Sequence, residues 1–173
     1  MAWVRQRDSV TCGPSVAVMA GALLDADYGA RLFGANPDGA QQWFSAEQGR
    51  VHRTVNMVWP RALGTTPAGM ARAITVHSRA RGVRYRWRRA RRGDDVADVR
   101  AALAQGWPVA MLIGAAIPRH WVLFTEIAGS ALRCYEPSSG VLRTVSAGDI
   151  RRANLDALGF PRAFAFVLPD LPA

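Results

Sequence analysis

Between residues 107 and 169 the chain breaks into short apolar or alternating runs, each closed by a turn signal. "PVAMLIG", "HWVLFTEI", "ALRCYEP", "GVLRTVS" and "RAFAFVLP" are the length of strands and too short for ordinary globular helices. "AGS" at 128–130 and "PSSG" at 137–140 supply hairpin turns. Strands joined so tightly must run antiparallel, because a parallel pair needs a long crossover. A short helix over 147–158 interrupts them.

Upstream the periodicity is helical. "GPSVAVMAGALL" repeats its larger apolar residues at helical spacing, with Pro14 in the first turn, where its missing N–H costs nothing. "GANPDG" reads as a loop. Residues 40–59 read as one or two helices, with Gly49 as the weak point. Thr66 and Pro67 form a cap and first position for a helix to Ser78. In "VRYRWR" the residues Val83, Tyr85 and Trp87 alternate with arginines, the pattern of a half-buried strand, and "DDVADVRAALAQG" is a helix stopped by Gly106. Helices first and antiparallel strands after give a segregated α+β domain. The 173 residues suit one such domain, over 1–173.

Composition narrows the function classes. The net charge is +9, and all 22 basic residues are arginine. Arginine and alanine richness together reflect a GC-rich genome, so the charge is first of all a solvated basic surface; the sharper reading is attraction to an acidic partner. The longest apolar stretch, Trp107 to Pro118, falls short of the ~18 residues of a membrane span. "MAWVRQRDS" has no apolar signal core, which points to the cytoplasm, export by another route remaining open. Two cysteines, Cys12 and Cys134, make no disulfide framework and should be thiols in a reducing compartment. No Cys or His stands at ligand-like spacing from another, and neither metal nor cofactor is expected.

Cys12 lies where the first helix begins. A helix N-terminus carries about half a positive charge, and its free N–H groups favour an anion there. The thiolate is the form of cysteine that attacks a carbonyl. A base must come from elsewhere, and the chain offers His52, His77 and His120. His52 and His77 fall inside helical segments with arginines and read as surface or helix-end residues. His120 opens the strand "HWVLFTEI" and can project over a helix end while the strand behind it stays packed. If that strand pairs with "ALRCYEP" about "AGS", Glu136 returns to the level of His120 and can orient its ring. Asp149 is the runner-up acid, but an acid at a helix start has its own structural reason. Gln6, in the polar segment before the helix, can donate to a developing oxyanion together with the Cys12 N–H.

Gln6, "CGP" at Cys12, "HWVLF" at His120 and "EPSSG" at Glu136 resemble the papain-like cysteine peptidases, closest to the bacteriocin-processing, double-glycine leader peptidases and their stand-alone bacterial relatives. The resemblance frames the chain from residue 6 to about 168, with 25–105 adding little. It implies a papain-like fold, with a helical lobe led by the Cys12 helix and packed on the sheet. It implies Cys12 as nucleophile, His120 as base and then acid, Glu136 as orienter and Gln6 as oxyanion donor, acting on a peptide or protein. That branch usually carries Asp before the Pro; the longer Glu136 reaches His120 only if the strand end is slightly withdrawn. No transporter portion follows, so leader trimming during export is not implied.

Rival readings stay open at this level. The same triad supports side-chain deamidation or transglutamination, and an inactive papain-like module could bind a partner through its arginines. The cluster from Arg84 to Arg92 could track phosphates, but no nucleic-acid fold motif accompanies it, and an acidic protein substrate or plain solubility ranks ahead of nucleic acid. Cys134 reads as a small strand residue, and Trp43, Trp59, Trp87, Trp107 and Trp121 as core or cleft wall, with Trp121 shielding His120 from water. Cleft loops fall within 28–66 and 114–119.

Overall fold

The computed structural model describes residues 4–6, 11–55 and 65–171. Among these, six helices and six strands alternate little: α1 (Cys12–Leu24), α2 (Ala26–Phe33), α3 (Pro37–Val55) and α4 (Pro67–Ser78) precede β1 (Tyr85–Arg89) and α5 (Ala97–Ala104). Then follow β2 (Val109–Gly114), β3 (Pro118–Ala128), β4 (Ala131–Glu136), β5 (Val141–Ser146), α6 (Ala147–Arg152) and β6 (Arg162–Pro169). The fold is α+β, as the sequence predicts.

The strands form one sheet in the order β1-β6-β2-β3-β4-β5, antiparallel at every pairing. β2 is buried at all six positions. Its side chains point alternately to the two faces, so both faces are covered there. β3 to β5 is a meander whose turns carry Gly129 at φ 64° and Gly140 at φ 65°, the left-handed conformation that glycine adopts without a Cβ clash.

α1 is apolar on nearly every side and sits at the centre of the helical part, packed on α2, α3 and α4 and against β3 and β2. Its small residues allow this. A Cβ at Gly21 would lie 2.7 Å from the His77 ring, and one at Gly13 would overlap the Thr65 side chain and stand 3.3 Å from Trp121. α4 starts as the sequence indicates: Thr66 Oγ1 accepts from the Gly69 N–H at 3.1 Å and Pro67 takes the first helical position.

Several expectations need correction. Residues 40–59 take the first of the two forms left open, one helix that passes through Gly49, and it starts at Pro37, so the second half of "GANPDG" is helical and not loop; α1 packs along it, and tertiary contact outweighs a single glycine. Its expected continuation to 59, and Trp59 itself, lie outside the described residues. The segment 147–158 is not one helix: α6 ends at Arg152, Ala153 takes φ 56°, and a separate 3-10 turn spans Asp156–Leu158. The alternation of β1 also fails beyond Tyr85. Trp87 is 44% exposed, whereas Arg88 is drawn inward by Asp94 and Asp98, each 2.6 Å from its guanidinium, and lies over the Phe166 ring. β1 is an edge strand, so paired charge decides which side chain is covered. Most of the expected cleft loop 28–66 is helical in α2 and α3, and 56–64 lies outside the described residues.

Candidate active site

Cys12 is the first residue of α1, and no acid occupies the first turn. The next turn is fixed by Ser15, whose N–H and hydroxyl both donate to the Thr11 carbonyl, at 2.9 and 2.7 Å. Pro14 has no N–H, so the orphan donors that face an anion at this end belong to Cys12 and Gly13. Cys12 is buried, with 6% exposure.

His120 is the third residue of β3, pairs with Ile113 of β2, and is buried. On the other side β4 is in a register that sets Leu123 opposite Tyr135. That register puts Glu136 on the same face as His120, one diagonal step away. Glu136 Oε1 lies 2.8 Å from His120 Nε2. The longer side chain is accommodated by the turn after β4: Oε1 also accepts from the Ser138 N–H at 2.8 Å, and Oε2 from the Ser139 N–H at 2.9 Å and its hydroxyl at 2.6 Å. Both oxygens are therefore fully engaged. With Nε2 turned to the carboxylate, Nδ1 is the ring nitrogen that remains for Cys12, whose interaction raises the imidazole pKa.

Electrostatics follow from these contacts. Burial opposes a charged imidazole, but the hydrogen bonds and charges of Cys12 and Glu136 outweigh it and raise the His120 pKa to about 9. Burial likewise opposes the Glu136 carboxylate, yet His120, Ser139 and Ser138 hold it well below the usual carboxylate range.

Gln6 is tied to the same region by its backbone. Its N–H donates to the Pro137 carbonyl at 2.8 Å, Arg5 Nε donates to the Ser139 carbonyl at 2.8 Å, and the Tyr135 hydroxyl donates to the Val4 carbonyl at 2.7 Å. Residues 4–6 are thus fastened to the turn that carries the acid. Asp149 is elsewhere, in a capping box with Ser146 and bonded to Arg152. The other two histidines are helix-end residues and not surface ones: His52 is buried in the last turn of α3, and His77, half-buried in the last turn of α4, bonds Asp25 at 3.3 Å and lies against the Tyr28 ring. Cys134 is fully buried in β4, where desolvation pushes its thiol far up. Trp121 is buried and donates to the Thr65 carbonyl at 2.9 Å, bracing the start of α4 against β3.

Two contributions went unseen in the sequence. Phe160 stacks on His120, with ring centroids 5.7 Å apart and planes inclined by 20°. The "LGFPR" segment carries no periodic signal to suggest it. The serines of "EPSSG" carry only a turn signal in the sequence, although a turn beginning with a buried acid gives that acid two N–H donors.

Cavities on the described surface, between α2 and α3, at the end of β1 and beside Arg88, are lined by other residues. Among the described residues no group of His, Cys, Asp or Glu is arranged to hold a metal ion, and no helix is long and apolar enough to cross a membrane.

No protein-family model matches the chain, and no curated protein matches it. Among solved structures, the crystal structure of the Pseudomonas avirulence protein AvrPphB aligns over 94% of each chain at 13% identity with a TM-score of 0.45. So slight a likeness transfers neither family nor activity.

Proposed function

We propose that the chain is a single papain-like domain, 1–173, that hydrolyses peptide or amide bonds with a cysteine nucleophile. The observation that supports this best is one buried imidazole held 2.8 Å from Glu136 and raised in pKa by its interactions with both Cys12 and Glu136. In this reading the Cys12 sulfur attacks the carbonyl carbon as thiolate, and the C=O electron pair moves onto oxygen. The Gln6 side chain and the Cys12 N–H hold that oxyanion. His120, protonated up to about pH 9, gives its proton to the departing amine nitrogen as the C–N bond breaks. The resulting thioester is attacked by water, whose proton passes to His120, and the C–S bond breaks to restore the thiolate. Glu136 keeps its charge throughout and fixes which ring nitrogen faces the sulfur.

Both cysteines are free thiols, as such an enzyme working in a reducing cytoplasm requires. The arginine surplus suits a peptide or protein substrate bearing acidic residues. The decisive experiment is digestion of a peptide library by the wild type and by Cys12→Ala, with products read by mass spectrometry. Cleavage that disappears in Cys12→Ala supports the reading. No cleavage, together with iodoacetamide labelling of Cys12 no faster than that of a free thiol, sinks it.

A further inference from the structure

Some arginines are answered by carboxylates: half-buried Arg88 by Asp94 and Asp98, and on the surface Arg86 by Asp170 and Arg152 by Asp149. A second group, at the end of β1, makes no such ion pair among the described residues, although Arg91 and Arg92 also border the neighbouring cavity that Asp94, Asp95 and Asp98 line. A cavity of about 330 Å³ opens between the end of β1, the C-terminal end of α6 and the start of β6. Its polar lining is Arg91, Arg92, Arg151 and Arg162, over a floor of Ile150 and three alanines, and no carboxylate lines it. Arg162 also borders it, while its guanidinium is braced on the segment between β2 and β3, Nε donating to the Ala115 carbonyl at 2.8 Å and Nη2 to the Ala116 carbonyl at 3.3 Å, 4.7 Å over the Phe164 ring. Among the described residues the side chains of Arg91, Arg92 and Arg151 meet no carboxylate.

Four like charges around one small space repel one another, and an anion of more than one charge relieves that repulsion. Guanidinium forks match the oxygens of a phosphoryl group two at a time. The volume is near the lower end for small-molecule sites, roughly 300 Å³. It suits two linked phosphoryl groups and little more. No aromatic ring lines it, so nothing there would hold a nucleobase.

We propose that this cavity is a binding site for a small polyanion of the diphosphate class, held by Arg91, Arg92, Arg151 and Arg162. It lies at the same end of the sheet as His120. Ile113 pairs with His120 on one side and with Ala163 on the other, so β6 passes two strand spacings, about 10 Å, from the histidine. The site stands whether or not the chain is a peptidase, since no residue of the Cys12 cluster takes part in it.

The test is thermal unfolding of the full chain in pyrophosphate and in ADP, each against sodium chloride at equal ionic strength. At a hundredfold excess over Kd, both ligands should raise Tm by roughly 5–10 °C, and by similar amounts. The double variant Arg91→Gln/Arg151→Gln should lose the rise. Arg143→Gln, an exposed arginine on β5 that changes the charge away from the cavity, should keep it. All three side chains are exposed, so the variants fold. No rise beyond that of chloride, or a rise that survives in the double variant, overturns the proposal.

Discussion

At the scale of single residues, the two cysteines make opposite predictions. Cys134 is fully buried and its thiol is pushed up by desolvation, whereas Cys12 lies beside a ring held protonated to about pH 9. Iodoacetamide at neutral pH should therefore alkylate Cys12 first, with Cys134 protected until the protein unfolds; peptide mapping of the labelled chain checks it. Glu136→Gln removes the carboxylate but keeps the shape. It should lower kcat/KM by roughly 10²- to 10⁴-fold. It should also move the alkaline limb of the pH–rate profile, expected near pH 9 in the wild type, to lower pH, because the imidazolium has lost its counter-charge. A rate loss with an unmoved limb would mean that Glu136 only braces the turn.

The same pair sets a stability window. The folded pKa of His120, about 9, is above its ordinary 6.5. Its contribution is therefore whole below about pH 6.5 and fades as pH rises through 9. Glu136 is depressed, so its contribution is present above the ordinary 4.5 and is lost as the solution becomes acid. Denaturant unfolding at several pH values should show stability greatest between these limits. His120→Ala should flatten the alkaline decline.

At the scale of elements, most strands were legible because their turns were explicit. "AGS" and "PSSG" fixed the β3–β5 meander, and with it the approach of Glu136 to His120. The failures share a physical cause: a partner distant in sequence. Asp94 and Asp98 pull Arg88 inward and leave Trp87 outside. Phe160 reaches His120 from an irregular segment that no pattern marks. The position of Cys12 at a helix start was readable from Pro14 alone; the tightness of that start was not. Gly13→Ala pushes a methyl into Thr65 and toward Trp121, whose indole anchors the start of α4. It should cost about 1–3 kcal/mol, read as a lower denaturation midpoint, and should slow Cys12 alkylation as the helix end shifts.

At the scale of the whole molecule, the arginine surplus separates into neutralised and unanswered groups, a division that composition alone could not make. The sheet order holds a further consequence. β6 comes last along the chain yet lies between β1 and β2. Until that strand arrives, β1 has no neighbour to bond to and β2 has one bare edge, so a nascent chain must hold two separate pieces apart and unjoined. Chains ending before residue 162 should stay bound to chaperones or precipitate, and strand-exchange between molecules is the hazard such a gap invites.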